Sequence, residues 1–522
     1  MQNIYFNALP NRVFLLSRTT FLSVLVSFLF TACTTLGPDF ETPDAEVADE
    51  WIDIEDPKLK SDSAEYAQWW TAFNDPILDS LITSAYEQNL TLQIVGLRVI
   101  EARAQLGIAK GNLYPQVQQA RGGATYNTLS ENSANTGRLD LDYWDFDAGF
   151  DAAWELDFWG KFKRGIESAD ASLLANMADY DDFLVSLLAE VANAYVVIRT
   201  FENRIQLAED NVTLQKRSLN ITEVRFQNGA TTELDVQQAK TLLRNTQATI
   251  PQLETGYRQA KHALSTLLGK PPSELNNVLA GANDIPVALS EVAIGIPAEL
   301  LRRRPDIRRA ELETASQSAL IGVAKADLYP SFSLFGSLGL RSSGGTNTTQ
   351  SGKDGADELF QSDSIVFFGG PAFTWNIFNY GRIKNQVRVQ DARFQQLIVN
   401  YQDTVLRAAR EVEDAMIGFL RAQETEVLLS DSVDAAARSV ELALLQYRDG
   451  VTDYQRVIDT QTSLVNQQDI WTQSRGDIAT NLIAMYKALG GGWQIRESND
   501  YVTDETKDTM RKRTDWGKIL AE

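Results

Sequence analysis

An internal duplication at a fixed spacing constrains the fold of this chain more than any other feature of its sequence. The segment AKGNLYP at 109–115 recurs as AKADLYP at 324–330. Three pairs of glycines are each separated by 221 residues: Gly160 and Gly381, Gly229 and Gly450, and Gly269 and Gly490. A constant offset across three landmarks indicates two copies of one structural unit. We therefore predict a first repeat at 75–270, a linker at 271–299 and a second repeat at 300–490.

Each repeat has the pattern of a helix, two strands, a long helix, a turn and a returning helix. In both copies a polar loop rich in Ser, Gly, Asn and Thr separates the two strands, as expected where a chain turns in water. The sequence thus predicts a mixed α and β protein with four strands per chain. Those strands are expected at about 115–126, 139–158, 331–341 and 364–378.

The second predicted strand has an aromatic face and an acidic face. In WDFDAGFDAAWELDFWG at 144–160, residues of one parity are mainly aromatic and those of the other mainly acidic. A period of two is the pattern of a β-strand, and a half-buried strand of a soluble sheet is one explanation. The other is an outer-membrane strand, because the run from Trp144 to Trp154 at a tilt of about 45° spans about 24 Å, close to the apolar band of such barrels. The expected lipid-facing side chains are then Trp144, Phe146, Phe150, Trp154 and Phe158.

The predicted helices are too long for an ordinary globular domain. Proline-free helical patterns run from about 161 to 227 and from about 382 to 448, and each would be about 100 Å long. The second carries a heptad seam typical of coiled coils: Phe394, Ile398, Tyr401, Val405, Ala408, Val412, Ala415 and Phe419. Shorter helices are predicted at about 75–110, 231–268, 303–325 and 452–489. Two short helices stacked end to end would match one long helix, which gives four rods per chain.

Four strands cannot close a membrane barrel within one chain. An open strand edge does not survive in lipid, because each unpaired backbone group costs several kcal/mol there. Two chains would give eight strands, a barrel that side chains just fill, whereas three would give twelve and leave room for a channel. We therefore predict a trimeric transmembrane β-barrel, continuous with a long α-helical coiled-coil barrel.

The N-terminus has the pattern of an export signal that ends in a cysteine. Arg12 and Arg18 precede the apolar run FLSVLVSFLF at 21–30, and TAC ends at Cys33. The apolar run is too short to span a membrane as a helix. We predict a signal peptide at 1–32 and a lipidated N-terminal segment at 33–74, since Cys33 matches the acylated cysteine of bacterial lipoproteins. Beyond Cys33 the sequence has no run of eighteen apolar residues, so no helical span is expected.

The composition argues against enzymes and nucleic-acid-binding proteins. A net charge of −22 disfavours nucleic acid as a partner. The chain has one cysteine and one histidine, His262, so thiol or histidine catalysis and Cys/His metal clusters are not expected. There is no GxxxxGK phosphate-binding loop. We therefore expect no catalytic residue, no metal and no cofactor.

Several motifs together resemble those of the TolC-like outer-membrane efflux proteins, in particular the OprM-type lipoproteins that serve resistance–nodulation–division pumps. They are CTTLGPDFETP (33–43), WWTAFNDPILDSLI (69–82), LLRRRPDIRRAE (300–311), the two LYP sites and YKALGGGW (486–493). The resemblance implies a homotrimer lipid-anchored in the outer membrane and extending into the periplasm. It also implies a passive conduit for small amphipathic compounds, with a periplasmic adaptor and an inner-membrane transporter as partners.

The two helix turns are the candidate functional sites. RFQNG at 225–229 and QYRDG at 446–450 each end in glycine, preceded by Asn228 or Asp449, which tolerate the same turn geometry. These residues can serve the turn alone. The resemblance implies that Asn228, Gly229, Asp449 and Gly450 lie at the periplasmic tip where adaptors dock. It further implies a gate formed by Asp235, Asp459, Tyr447 and Arg456, although Arg456 stands where some relatives carry Asp.

Two alternative functions remain at this point. A protein-export conduit of type I secretion would share the architecture, but the lipoprotein signal and RRRPDIRRAE favour small-molecule efflux. A periplasmic coiled-coil scaffold without a pore would not need the aromatic and acidic strand faces. The last segment, 491–522, is a charged tail, and its part beyond Trp493 is expected to be mostly disordered.

Overall fold

The structure is a computed structural model that describes residues 35–60, 66–134, 141–272, 275–281, 284–287, 292–293, 302–345, 355–497 and 499–520. Cys33 and the predicted signal peptide lie outside the described residues. The chain divides into two compact units. The strand unit comprises the chain up to Thr42, Ala102–Leu173 and Leu312–Ile398. The helix unit comprises Pro43–Glu101, Leu174–Glu311 and the chain from Val399 onward.

Four long antiparallel strands form the sheet of the strand unit. They are β2 (Val117–Thr128), β3 (Asp142–Leu156), β5 (Ser331–Gly345) and β6 (Ile365–Thr374), in the spatial order β2-β3-β5-β6. Each repeat thus contributes one hairpin, and the hairpins join where β3 pairs with β5, for example Phe150 with Leu338. A separate two-residue parallel pairing joins β1 (Leu59–Lys60) to β4 (Val292–Ala293) in the helix unit. The predicted four-strand count is confirmed.

The helices follow the predicted lengths closely. Among the described residues they are α1 (Pro76–Gln88), α2 (Leu90–Gly111), α3 (Lys161–Gln227), α4 (Glu233–Leu267), α5 (Pro305–Ala326), α6 (Arg382–Arg448), α7 (Tyr454–Ala488) and α8 (Asp504–Arg513). Both long helices, α3 and α6, have 67 residues. The two returning helices, α4 and α7, have 35 residues each. This equality of lengths is what a duplication predicts.

The prediction of one leading helix at 75–110 was wrong, because the helix is broken at Asn89. That residue has an extended backbone conformation (ψ 122°). Its side-chain oxygen accepts from the Leu92 amide at 2.8 Å, and its side-chain nitrogen donates to the Leu267 carbonyl at 2.8 Å. Asn89 therefore caps α2, as Asn commonly does at helix starts, and ties the break to the end of α4.

The heptad seam of α6 lies in the core for most of its length. Tyr401, Val405, Ala408, Val412, Ala415 and Phe419 are all buried, and Phe394 and Ile398 are half-buried. In α3, one 18-residue window is apolar enough to cross a membrane by length and composition, but 61% of it is buried inside the protein. A core helix passes the same test, so the apolar stretch of α3 is explained by packing.

The segment that follows the predicted lipid anchor is fastened to the corner between β3 and α3. The Leu36 amide donates to the Trp159 carbonyl at 3.0 Å. Arg164, which is buried, donates to the Leu36 carbonyl at 3.1 Å and pairs with Asp39 at 2.7 Å. Gly160 has φ +73°, and a Cβ there would lie 2.6 Å from Thr35 Cγ2, so glycine is needed for both reasons.

Three of the motifs that carried the family resemblance meet in the helix unit. Trp69 of the WW pair stacks on Tyr486 with ring centroids 5.5 Å apart. Arg304 of RRRPD donates to the Ala488 carbonyl at 2.6 Å and pairs with Glu411 at 2.7 Å. Burial disfavours the charged form of Arg304, but its carboxylate partners outweigh that effect and raise the pKa of this guanidinium. The motifs therefore pack the end of α7 against the start of α5.

The prediction of a mostly disordered tail after Trp493 was wrong, because the tail forms α8 and packs on α3. Arg496 pairs with Asp181 at 2.7 Å and lies 4.7 Å from the centre of the Tyr501 ring. Tyr501 contacts Tyr180 edge-on, with ring centroids 5.1 Å apart. The composition of the tail is charged, but a few aromatic and paired residues are enough to order it.

Candidate functional site

The two helix turns share one backbone design. Gly229 has φ +71° and Gly450 has φ +76°, the left-handed conformation that ends many helices. In the first turn the Ala230 amide donates to the Arg225 carbonyl at 2.8 Å. The equivalent bond runs from Val451 in the second turn, also at 2.8 Å. The predicted roles of the two glycines in reversing the chain therefore have a direct geometric basis.

The helix starts after the turns are capped differently. At α4, Thr232 and Asp235 form a capping box, in which Asp235 accepts from the Thr232 amide at 3.3 Å and Thr232 accepts from the Asp235 amide at 3.4 Å. The Thr231 hydroxyl also donates to Asp235. At α7 the cap is Asp453, which accepts from the Arg456 amide at 3.3 Å. The Asp235 carboxylate is therefore engaged in holding the helix start.

Arg225 joins the two turns. Its guanidinium donates to the Tyr447 carbonyl at 2.8 Å, to the Arg448 carbonyl at 2.9 Å and, across its own turn, to the Ala230 carbonyl at 3.4 Å. It also lies 4.8 Å from the centre of the Tyr447 ring. Carbonyls at a helix C-terminus lack partners within the helix and carry partial negative charge. Arg225 at the end of α3 therefore satisfies the end of α6 as well.

Tyr447 is buried at the junction, with 2% of its surface exposed. Its ring meets Tyr454 edge-on at a centroid distance of 5.1 Å, and its hydroxyl donates to Thr231 at 3.4 Å. Burial raises the pKa of Tyr454, whose hydroxyl lies 2.9 Å from that of Ser218. We call Arg225, Thr231, Tyr447 and Tyr454 the tip cluster.

The other predicted tip residues lie on the surface. Asp459 is exposed on α7 and accepts from Gln455 at 2.8 Å, and Arg456 is exposed one turn before it. Asn228 donates to the Val224 carbonyl at 2.8 Å, and Asp449 pairs with Arg448 at 3.2 Å. The structure thus brings Tyr447 and Asp235 together through Thr231, and leaves Asp459 and Arg456 on the surface of α7.

Sequence reasoning missed Arg225, whose guanidinium bonds carbonyls of both turns. It stands in RFQNG, where a basic residue in the last turn of a helix is common and reads as a favourable helix-end charge. One sequence feature could have indicated its role. The second long helix ends 221 residues after the first, at an equivalent glycine turn, so its terminal carbonyls also need hydrogen-bond donors. The Arg225 guanidinium can donate to the free terminal carbonyls at both turns.

The strand unit has the two faces that the sequence predicts. Side chains on one face of β3 include Trp144 and Phe150, which are 42% and 70% exposed. Phe146 and Trp154 share that parity and are half-buried, as is Phe158 just beyond the strand. The opposite face carries Asp145, Asp147 and Asp151, which form ion pairs with arginines of the neighbouring strands.

Comparison with known proteins decides what such a molecule is. A sequence profile described as "Outer membrane efflux protein" matches residues 81–270 and 296–491. The chain belongs to the outer membrane efflux protein family. The two matched stretches coincide with the two repeats, so each repeat is one copy of the family unit.

Individual members of the family are similar over most of the chain. The pyoverdine export outer membrane protein OpmQ of Pseudomonas putida is 30% identical over 82% of this chain and 88% of its own. The toluene efflux pump outer membrane protein TtgC of Pseudomonas putida is 29% identical over 93% and 98%, and the probable outer membrane lipoprotein SilC of Salmonella typhimurium 28% over 90% and 98%. The structure of the outer-membrane channel OprN matches with 33% identity and a TM-score of 0.81, covering 88% of this chain and 99% of OprN.

Membership fixes the biological assembly and its general role. As an outer membrane efflux protein, the chain is the outer-membrane channel of a tripartite efflux system. It forms a homotrimer, in which its four strands contribute to a β-barrel and its long helices to a helical barrel that reaches into the periplasm. Its partners are a periplasmic adaptor protein and an inner-membrane resistance–nodulation–division transporter. Members of the family are passive channels rather than enzymes.

Proposed function

We propose that the chain conducts small amphipathic compounds and that its two helix turns form the gate. The cargo class is supported by the relatives whose names refer to toluene and pyoverdine. We propose no catalytic activity for the chain, so that the inner-membrane transporter supplies the energy and the channel supplies only the path.

The observation that carries the gate proposal is the contact of Arg225 with the second turn. One guanidinium bonds the Tyr447 and Arg448 carbonyls and covers the Tyr447 ring. It is therefore the charged link between the two hairpin ends among the described contacts, beside the longer neutral bond from Tyr447 to Thr231. Each hydrogen bond from a charged group contributes about 1.5–3 kcal/mol. Loss of the link would shift an equilibrium between closed and open tips about tenfold or more.

The test removes Arg225 and measures leakage. We expect Arg225→Ala to increase single-channel conductance several-fold and to sensitise cells to large antibiotics that the outer membrane normally excludes. Arg244→Ala is the matched control, since Arg244 is exposed on α4 and bonds only Gln247 of its own helix among the described contacts. Unchanged conductance of intact Arg225→Ala trimers would refute the gate proposal.

Asp459 is the proposed charge of the gate, because it is exposed and its carboxylate is held only by a neutral Gln455 in the described structure. Three copies in the trimer would attract cations to the throat. In the same recordings, Asp459→Asn should weaken block by multivalent cations added from the tip side. Asp235 contributes less in this proposal, since its carboxylate serves the capping box.

The remaining tip residues are proposed for partner contact. Asn228, Gly229, Asp449 and Gly450 form the two ends of the hairpins, whereas Arg456, exposed one turn before Asp459, belongs to the proposed gate. We propose that the adaptor docks on these ends. The acylated Cys33 is proposed as the lipid anchor, supported by the name of the relative SilC, a probable outer membrane lipoprotein.

A further inference from the structure

The polar face of the sheet carries a ladder of charge pairs. Arg341 of β5 binds Asp145 with two hydrogen bonds, at 3.0 and 2.6 Å. Arg121 of β2 contacts Asp147 and lies 3.1 Å from Asp151. Three carboxylates of one strand thus share two arginines supplied by its two neighbours. We call these five residues the charge ladder.

The Arg121 side chain is held on the polar face of the sheet by partners on two other strands. In the strand register it pairs with Gly149, which lies on the same face between Asp147 and Asp151. The guanidinium reaches both of these carboxylates and, at 3.5 Å, the Ser337 hydroxyl of the next strand but one. A Cβ at Gly149 would lie 2.8 Å from Gly339 Cα, so glycine at this position allows β3 and β5 to approach closely beside these contacts. These contacts hold the Arg121 guanidinium against the sheet.

We propose that Arg121 sets the ion selectivity of the barrel, independently of the gate at the tip. This inference rests on the proposed conduction through the barrel, in which the polar face lines the lumen. With both arginines present, the charge ladder carries a net charge of −1 per chain, since three carboxylates face two guanidinium groups. A trimer then presents −3 at this level. Loss of Arg121 would double that charge.

The ion pairs of Arg121 are partly buried, which increases the effect of their charge on passing ions. Arg121 and its two carboxylates are only 38%, 28% and 25% exposed, so they are screened less than free surface charges. A ring of like charge on a low-dielectric wall concentrates counter-ions and repels co-ions. Arg121 therefore limits how strongly the lumen favours cations over anions and cationic over anionic cargo.

The test measures reversal potentials of trimers in planar bilayers under a potassium chloride gradient. Arg121→Gln should raise the cation-to-anion permeability ratio about twofold or more at low salt, with the difference shrinking at high salt as screening increases. It should also strengthen block by a trivalent cation added from the barrel side. The double variant Arg121→Gln with Asp147→Asn restores the net charge and should return the ratio to that of the wild type.

Two further variants serve as a second test and as a control. Arg341→Gln removes the same charge from a side chain that is 63% exposed, so it should reproduce the effect even if Arg121→Gln assembles poorly. Arg438→Gln removes an exposed arginine that pairs with Glu441 on α6, and should change nothing. Conducting trimers of Arg121→Gln and Arg341→Gln with wild-type selectivity would overturn the inference alone. Absence of conductance in every variant and in the wild type would instead overturn the proposed conduit.

Discussion

Single charged residues in the helix unit are placed where burial and neighbouring charges oppose each other. Burial raises the pKa of the Asp182 carboxyl to about 6, and the nearby Asp306 and Asp179 carboxylates act in the same direction. Arg309, whose guanidinium lies 3.4 Å from Asp182, and Arg304 act against it. The arginines are shared among several acids, so Asp182 is incompletely compensated at neutral pH.

Replacement of Asp182 by asparagine should therefore stabilise the protein at neutral pH. The folded-state pKa of about 6 exceeds the ordinary value of 3.8, so the folded state binds the proton more tightly. The penalty for the charged form is fully present above about pH 6 and is relieved as the pH falls toward 4. We expect Asp182→Asn to raise the unfolding temperature by a few degrees at pH 7.5 and by about half as much at pH 5, as measured by thermal unfolding.

The control is Asp434→Asn, which makes the same charge change at an exposed position of α6. It should leave the unfolding temperature unchanged at both pH values. An Asp182→Asn variant that is less stable than the wild type at pH 7.5 would show that the contact with Arg309 outweighs burial.

At the scale of helices and strands, the sequence predicted regular elements better than their interruptions. The bounds of α3 and α6 agree with the prediction because both are uninterrupted by proline and end at glycine-containing turns. The break at Asn89 combines a local cap on Leu92 with a bond to Leu267, and it was missed because Leu267 is distant in sequence. The order of the tail was missed for the same reason, since Tyr180 and Asp181 of α3 supply its partners.

The candidate site shows the same division. Glycines at the turns were identified from the sequence because their role is local. Asp235 and Asp459 both follow a turn, but the offset of 221 residues pairs Asp235 with Arg456, so Asp459 lies one turn further along its helix. The structure separates them, because Thr231 and Thr232 engage Asp235 whereas Asp459 faces only Gln455.

The orientation of β3 can be tested with two adjacent residues. Phe150 is 70% exposed on the aromatic face, which we assign to lipid. A carboxylate there should cost up to about 2 kcal/mol per chain near the membrane midplane. We expect Phe150→Asp to reduce the yield of heat-modifiable trimers on gels. Asp151→Asn on the opposite face should leave the yield unchanged, and a reversed pattern would invert the assignment.

The whole molecule has two independent attachments to the outer membrane in our proposal, the barrel and the acyl chains on Cys33. An acyl anchor adds about 0.8 kcal/mol per buried methylene. In the strand unit, Arg164 contacts Leu36 and Asp39, a few residues after the proposed anchor.

We therefore expect Cys33→Ser to abolish labelling with a radioactive fatty acid while much of the protein still fractionates with the outer membrane. The matched comparison is wild-type protein labelled in parallel. Labelling that persists in Cys33→Ser would rule out the anchor site, and complete loss of membrane fractionation would show that the barrel alone does not hold the protein.

The pairing of β3 with β5 has a consequence for how the chain folds. Phe150 and Leu338 are neighbours in the sheet, yet the whole of α3, the first turn, α4 and α5 lie between them in the chain. Each hairpin can form from local contacts, but the seam between the hairpins has a high contact order and must form slowly. Until the second repeat is available, one edge of β3 presents unpaired amides and carbonyls that could pair with another chain. Correct assembly of the sheet therefore requires that this edge of β3 be shielded while the chain travels to the membrane.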